Sequence, residues 1–376
     1  MDNRSTSWAE IDLGALRRNI SAIRALLQPD TRLMAVVKAN AYGHGVLQVA
    51  RVCMENGADY LAVANVQEAM ELRQANIHAP ILVLGMVPEE QAALMSRHDI
   101  EAAVADLESA QGYSRQASTV PPLRLHVKLD TGMGRIGFQT DEKTVGEIKT
   151  IQQLPNVTLQ GVFSHFAAAD AADKEYSRRQ TSDFEAFIEC LQANNIHIPV
   201  KHLANSAAII DLPETQYNMV RSGIIMYGLY PSDQVKREKL PLEPVMRLKT
   251  RIAFLKTLSP GRSVSYCRTF VAPQDTLVAT VPIGYADGYS RLLSNRAWAV
   301  VRGQKVPLIG NVCMDQCMFD VTGVEGVEKG DEMILFGRPE DGVTADDLAH
   351  ITGTINYEIV CTLGQRIPRV YVGQGG

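Results

Sequence analysis

The sequence predicts an α/β fold: an amino-terminal (β/α)8 barrel of the TIM type over residues 8–235, then a mainly β carboxyl-terminal domain over residues 236–376. Three observations predict it. Eight short apolar runs recur through the first two thirds of the chain, helix-like segments separate most of them, and beyond about residue 235 the alternation gives way to β-branched segments punctuated by Gly and Pro.

The amino-terminal SWAEIDL reads as a strand, and residues 1–12 are free in sequence to pair with the distant β domain. The eight apolar runs are LMAVVKA (33–39), YLAVAN (60–65), PILVLG (80–85), IEAAVA (100–105), RLHVKLD (124–130), LQGVFSHF (159–166), VKHLANS (200–206) and NMVRSGIIMYG (218–228). Runs that are apolar on both faces suit parallel strands covered on both sides. Between them GVLQVARVCMENG, VQEAMELRQAN, EEQAALMSRHD, DEKTVGEIKTIQQL and DKEYSRRQTSDFEAFIECLQANN read as helices, and SAAIIDLP is a short piece ending at Pro213. Eight such repeats favour a closed barrel over an open doubly wound sheet. RLKTRIAFLKTLSPG, SVSYCRTFV, DTLVATVPIGY, WAVVRGQKVPLIG, QCMFDVTGV, DEMILFG and RIPRVYV then read as strands, with one helix, TADDLAHIT, capped by Thr344.

A chain of 376 residues corresponds to two or three domains at about 150 residues each. A formal net charge of −5 gives no electrostatic reason to expect nucleic acid or an anionic membrane as partner. The six cysteines form no Cys-x-x-Cys pair, and Cys313 and Cys317 lack further ligands at matching spacing, so free thiols and no metal are expected. The first ten residues carry no apolar signal core, and no uncharged apolar stretch approaches the roughly 18 residues of a membrane span. A cytoplasmic enzyme with reduced thiols is the expectation.

Barrels of this type carry their chemistry at the carboxyl ends of the strands. There the sequence places Lys38 with Asn40 and Tyr42, Asp130 with Arg135, His165, Asn205 with Ser206, and Arg221 with Ser222. Lys38 ends the apolar run AVV; a desolvated amine is what a carbonyl-trapping nucleophile needs, whereas an ordinary strand-end lysine turns into solvent. Backbone amides around Gly223 can approach an anion closely. Two decoys fail. GMGRIG (132–137) lacks the acidic residue about 20 positions on that a dinucleotide site requires. DTG (130–132) has no second copy to form a paired carboxylate.

AVVKANAYGHG (35–45) resembles the cofactor-lysine signature of alanine racemases. LDTGMGRIGF, SHFAAAD, LANSAA, MVRSGIIMYG, VSYCRTF, PIGYADGY, CMDQCM and INYEIV resemble that family in the same order, from about residue 8 to 371. The resemblance implies a homodimer with shared active sites that binds pyridoxal phosphate and racemises alanine, supplying D-alanine for peptidoglycan. By motif it implies that Lys38 carries the cofactor, and that Tyr42, Ser206, Tyr357 and the backbone at Gly223 and Ile224 hold its phosphate. It implies that Arg221 faces the pyridine nitrogen, that Arg135 and the partner's Met314 backbone hold the substrate carboxylate, and that the partner's Tyr266 is the second base. Lys128 matches a lysine that is often carbamylated in the family and orients the arginine corresponding to Arg135.

These roles make chemical sense together. Removing a proton from one face of a carbon and returning it to the other calls for two bases, and a guanidinium cannot hand its proton to a ring nitrogen. A phenol, with a reference pKa of about 10, needs nearby cations to act as a base, and His165 stands where it can relay their influence. Asn311 departs from relatives that carry arginine near the substrate entrance. Three rivals are a serine or broad-specificity racemase, a pyridoxal-phosphate decarboxylase, and a non-catalytic single-barrel cofactor binder. Arg221 opposes the decarboxylase, which needs an acid at the ring nitrogen, and the residues after 235 oppose the single barrel.

Overall fold

The structure, a computed structural model, describes residues 6–373; the ends of the expected pairing stretch (residues 1–5) and of the expected β domain (residues 374–376) lie outside the described residues. The chain divides into two compact units. One comprises residues 16–41 and 46–242, the other residues 6–15, 42–45 and 243–373.

In the first unit, eight parallel strands follow in barrel order: Arg32–Val36, Tyr60–Val63, Ile81–Val83, Ile100–Val104, Leu123–Lys128, Val157–Phe163, Val200–His202 and Met219–Ser222. Each falls within or across one of the eight apolar runs. The eighth pairs in parallel with the first, Arg32 opposite Met219 and Ala35 opposite Ser222. The remaining seam, between the seventh and eighth strands, is joined by the Arg221 N–H donating to the Ala204 carbonyl (3.0 Å) and the Lys201 N–H donating to Asn218 Oδ1 (3.0 Å). Tyr60–Val63, Ile81–Val83 and Ile100–Val104 are buried throughout, as expected of strands covered on both faces. Helices Val46–Glu55, Val66–Gln74, Glu142–Gln153 and Glu175–Ala193 lie where the periodicity puts them. Asp141 begins the third of these by accepting the Thr144 N–H (2.8 Å).

In the second unit, the amino-terminal strand Ser7–Asp12 pairs antiparallel with Met246–Arg251 and parallel with Arg369–Val372. It sits fifth in a six-stranded sheet of order Gln304–Pro307, Trp298–Val301, Glu332–Phe336, Met246–Arg251, Ser7–Asp12 and Arg369–Val372. A three-stranded sheet is built from Phe254–Leu258, Thr276–Val281 and Cys317–Asp320. Trp298–Val301 and Gln304–Pro307 form a hairpin whose turn residues, Arg302 (φ 50°) and Gly303 (φ 74°), both have the positive φ that matches strand twist. Thr344 caps the helix Ala345–Thr352 in a capping box with Asp347. No helix among the described residues is long and apolar enough to cross a membrane.

Candidate active site

Lys38 follows the first barrel strand and is half-buried. The chain then turns left-handed: Ala39, Asn40, Ala41 and Tyr42 all have φ between 52° and 54°, with the Ala41 N–H donating to the Val37 carbonyl (2.8 Å). A left-handed turn of non-glycine residues costs about 1–2 kcal/mol per residue, so the surroundings must hold it. Glu68 does so with both oxygens, accepting the Ala39 N–H at Oε1 and the Ala64 N–H at Oε2, each at 2.7 Å. Asn40 Oδ1 accepts the Val46 N–H (2.8 Å) and starts the next helix. Strain concentrated beside a lysine at a strand end is the pattern of a functional site.

Arg221 is the hub of the barrel unit. Its guanidinium is buried, and Nη1 donates to His202 Nδ1 and the His202 carbonyl, both at 2.9 Å. Nη2 donates to the carbonyls of Ser164 (2.7 Å) and Leu203 (2.9 Å) and faces His165 Nδ1 (3.2 Å). Burial and the neighbouring Arg135 lower its pKa to about 9, which leaves it cationic at neutrality. Burial, with Arg221, Arg135, Lys128 and Lys38 around it, holds the His165 imidazole well below its ordinary range, so it is neutral. Lys128 is 2% exposed; its Nζ donates to the Leu129 carbonyl (2.6 Å) and lies 5.4 Å from the Phe163 ring centre. Burial first, then Arg221, brings its amine down to about 7.

The loop carrying Arg135 is shaped by Asp130, which accepts the N–H groups of Gly132 and Gly134 at 3.0 Å and is thereby held below the usual carboxylate range despite its burial. Arg135 itself is exposed. Ser206 opens the helix Ser206–Asp211, capped by Asn205, and its Oγ accepts the Gly223 N–H (3.0 Å) at the start of the 3-10 turn Ile224–Tyr227. Ser206, Gly223 and Ile224 thus form one local cluster.

The second unit holds the other candidates. The rings of Tyr42 and Tyr357 lie 6.1 Å apart. Gly43, with φ 83°, has no room for a Cβ because the Val360 carbonyl occupies that space. Tyr266 differs from the strand expected of SVSYCRTFV. Ser263–Val264 and Phe270–Val271 pair, and Tyr266 projects from the turn between them, 67% exposed. Positive φ at Ser265, Cys267 and Arg268 breaks the strand there. Asn311 fixes this turn: its Nδ2 donates to the Tyr266 carbonyl (2.7 Å), and its carbonyl accepts the Ser265 hydroxyl (2.6 Å). Tyr266 and Met314 line one cavity of about 610 Å³, and the Met314 carbonyl accepts the Ala286 N–H (3.0 Å). Among the described residues no group of three or more His, Cys, Asp or Glu is arranged to hold a metal.

Sequence reading missed Glu101, His126 and His202, all buried inside barrel strands. The available signal was an ionisable residue within each apolar run: IEAAV, RLHVK and VKH.

Comparison with known families finds the alanine racemase N-terminal domain over residues 11–231 and the alanine racemase C-terminal domain over residues 245–371. A curated alanine racemase of Clostridium perfringens is 49% identical over 97% of this chain and 95% of its own length. Solved structures agree. The alanine racemase of Clostridium difficile 630 superposes with a TM-score of 0.94 at 42% identity, covering 98% of this chain and 96% of that one. That of Bacillus anthracis with bound L-Ala-P gives 0.95 at 35% identity, covering 100% and 97%.

Proposed function

The chain belongs to the alanine racemase family, whose members are pyridoxal-phosphate-dependent isomerases, and from that premise we propose that it interconverts L- and D-alanine as a homodimer in the cytoplasm, supplying D-alanine for peptidoglycan. The observation that carries the reading is the bonding of Arg221. Four of its five N–H groups are committed to barrel carbonyls and imidazoles, while Nε has no hydrogen-bond partner among the described residues. Nε is the one guanidinium N–H left over for a further acceptor, and an unprotonated pyridine nitrogen, which only accepts, would satisfy it. Ser206 Oγ with the adjacent Gly223 and Ile224 backbone offers the polar, close-approach surface a phosphate needs.

When bound, pyridoxal phosphate supplies an electron sink that acidifies the α C–H of an amino acid. Lys38 is the covalent anchor, and its amine carries the proton on one face. Tyr266 of the partner subunit carries it on the other. Arg135 and the backbone at Met314 of the partner subunit orient the substrate carboxylate. Because Arg221 Nη2 donates toward His165 Nδ1, the neutral His165 keeps its proton on Nε2 and can donate it to an ionised phenol. Lys128 holds enough neutral amine at pH 7 to form an N–C bond to carbon dioxide, releasing one N–H proton to solvent, and the resulting carbamate anion would steady Arg135. An arginine that cannot protonate the ring nitrogen disfavours decarboxylation, which needs an acid there.

The test incubates the protein with L-alanine in deuterated water. Loss of optical rotation together with deuterium at the α carbon is expected, with serine, lysine and arginine turned over more slowly. Borohydride reduction should then fix the cofactor on Lys38. Material that is colourless, takes up no pyridoxal phosphate and leaves Lys38 unlabelled would refute the proposal.

A further inference from the structure

Arg221 is buried at the carboxyl end of the eighth strand, and among the described residues no carboxylate pairs with it. A buried cation without counter-charge is strongly disfavoured. The nearest acceptor side chain, His202, begins an unbroken buried chain across the barrel interior. His202 Nε2 lies 2.9 Å from His126 Nδ1, and His126 Nε2 lies 2.8 Å from Glu101 Oε2. Glu101 is 1% exposed and both imidazoles are fully buried. Its other oxygen accepts Arg124 Nε (2.7 Å), and Arg124 pairs with the exposed Asp99 (2.7 Å).

The direction of every proton in this chain is determined. A guanidinium only donates, so His202 Nδ1 accepts and its single proton sits on Nε2. That proton points at His126 Nδ1, which must accept, leaving the His126 proton on Nε2, pointing at Glu101. Arg124 and His126 both hold Glu101 as a carboxylate, offsetting its burial. Two features of the fold are built around the chain. Phe163 stacks on His202 at 4.7 Å with planes 7° apart. Gly161 leaves open the space that a Cβ would otherwise take from the His126 ring.

We propose that Glu101 is the remote counter-charge of Arg221, coupled to it through His126 and His202, and so serves as a positioning residue for the guanidinium that faces the cofactor ring. By accepting the His126 Nε2 proton, the carboxylate makes His126 Nδ1 a stronger hydrogen-bond acceptor and, through it, His202 Nδ1. That strengthens the bond from Arg221 Nη1 and fixes the plane of the guanidinium whose Nε is left for the ring nitrogen. The proposal rests on the reading of Arg221 given above.

Two measurements separate the two. In the cofactor-free protein with ¹⁵N-labelled histidine, long-range proton–nitrogen correlation should show both His126 and His202 neutral with the proton on Nε2; either ring as the Nδ1–H tautomer or doubly protonated at pH 7 overturns the chain. In the holoenzyme loaded with ring-¹⁵N pyridoxal phosphate, Glu101→Gln should move the ring-nitrogen resonance and lower kcat about tenfold, the loss typical when an outer partner of a bound group is removed, with KM unchanged. Glu101→Asp, which retains the charge, should shift both back toward wild type. An unmoved ring-nitrogen resonance in Glu101→Gln overturns the coupling. Should that variant fail to fold, His126→Gln replaces it with the same two outcomes. A wild-type protein that takes up no cofactor defeats the racemase reading, whereas the tautomers decide the chain by themselves.

Discussion

Lys128 offers the clearest energetic test of the site. Its amine is 2% exposed and brought down to about 7, first by burial and then by Arg221. In the unfolded chain a lysine amine titrates near 10.4. Between those values the unfolded state binds a proton that the folded state does not, so stability rises with pH across that window, and below it the folded protein carries a buried charge at full cost. Integrating the two titrations gives a gain of about 2 kcal/mol between pH 7 and pH 9. Lys128→Met keeps the length of the side chain and removes the titration. The Leu129 carbonyl still accepts the Ser164 hydroxyl (2.9 Å), so the substitution leaves no orphaned oxygen. Urea denaturation of both proteins at fixed concentration in carbon-dioxide-free buffer, at pH 7, 8 and 9, isolates the term, because titrating groups remote from Lys128 contribute equally to both. Wild type should gain about 2 kcal/mol on the variant over that interval. Parallel pH dependences would show that the Lys128 amine is not desolvated and would remove the physical basis for the proposed carbamate.

Other outcomes follow from the same geometry. With ¹³C-bicarbonate, wild type should show a carbamate carbon signal that fades as pH falls below 7 and is absent from Lys128→Met; a signal insensitive to pH contradicts the lowered amine. Tyr266→Phe should lose activity while retaining cofactor absorbance, and the basic limb of its residual pH–rate profile should differ from that of wild type; identical profiles argue against the phenol as a base. Asn311→Ala removes the donor to the Tyr266 carbonyl, worth about 1 kcal/mol, so kcat should fall about fivefold with cofactor affinity unchanged; a loss of cofactor instead would place Asn311 elsewhere in the reaction. Ala39→Gly relieves a left-handed alanine at some entropic cost, and should stabilise the chain by about 0.5–1 kcal/mol in urea; a destabilised variant contradicts the strain assigned to this turn.

The barrel was legible because burial on both faces leaves an unmistakable pattern: a run such as YLAV can only be core. Helices were less uniformly legible. The helices Leu13–Ala25 and Leu107–Gln116 are not among those expected from the sequence. The second contains Gly112, a poor helix former, present because a Cβ there would strike Glu89. That constraint is tertiary and has no local signature. The left-handed turn at Ala39–Tyr42 is likewise silent, because alanine and tyrosine do not advertise positive φ as glycine does. The turn at Tyr266 is set by Asn311, some 45 residues along the chain. The strand-end residues were readable from position alone. Glu101, His126 and His202 were not, because ionisable residues inside a strand look like exceptions until the topology brings the strands together.

That buried chain changes what the barrel interior is for. Barrels of this type are ordinarily filled by layers of branched apolar side chains, yet here a carboxylate, two imidazoles, a lysine amine and a guanidinium occupy part of that space. Desolvation is the common cause of the lowered pKa values of Lys128, His165, His202 and Arg221. The carboxylates that could offset it are otherwise engaged: Asp130 shapes its own loop and Glu101 reaches Arg221 only through two rings. The carboxyl end of the barrel is therefore a pocket of like charge short of anions. That charge pattern favours anions, so a ligand that brings negative charge to this end of the barrel would stabilise the folded chain by binding it.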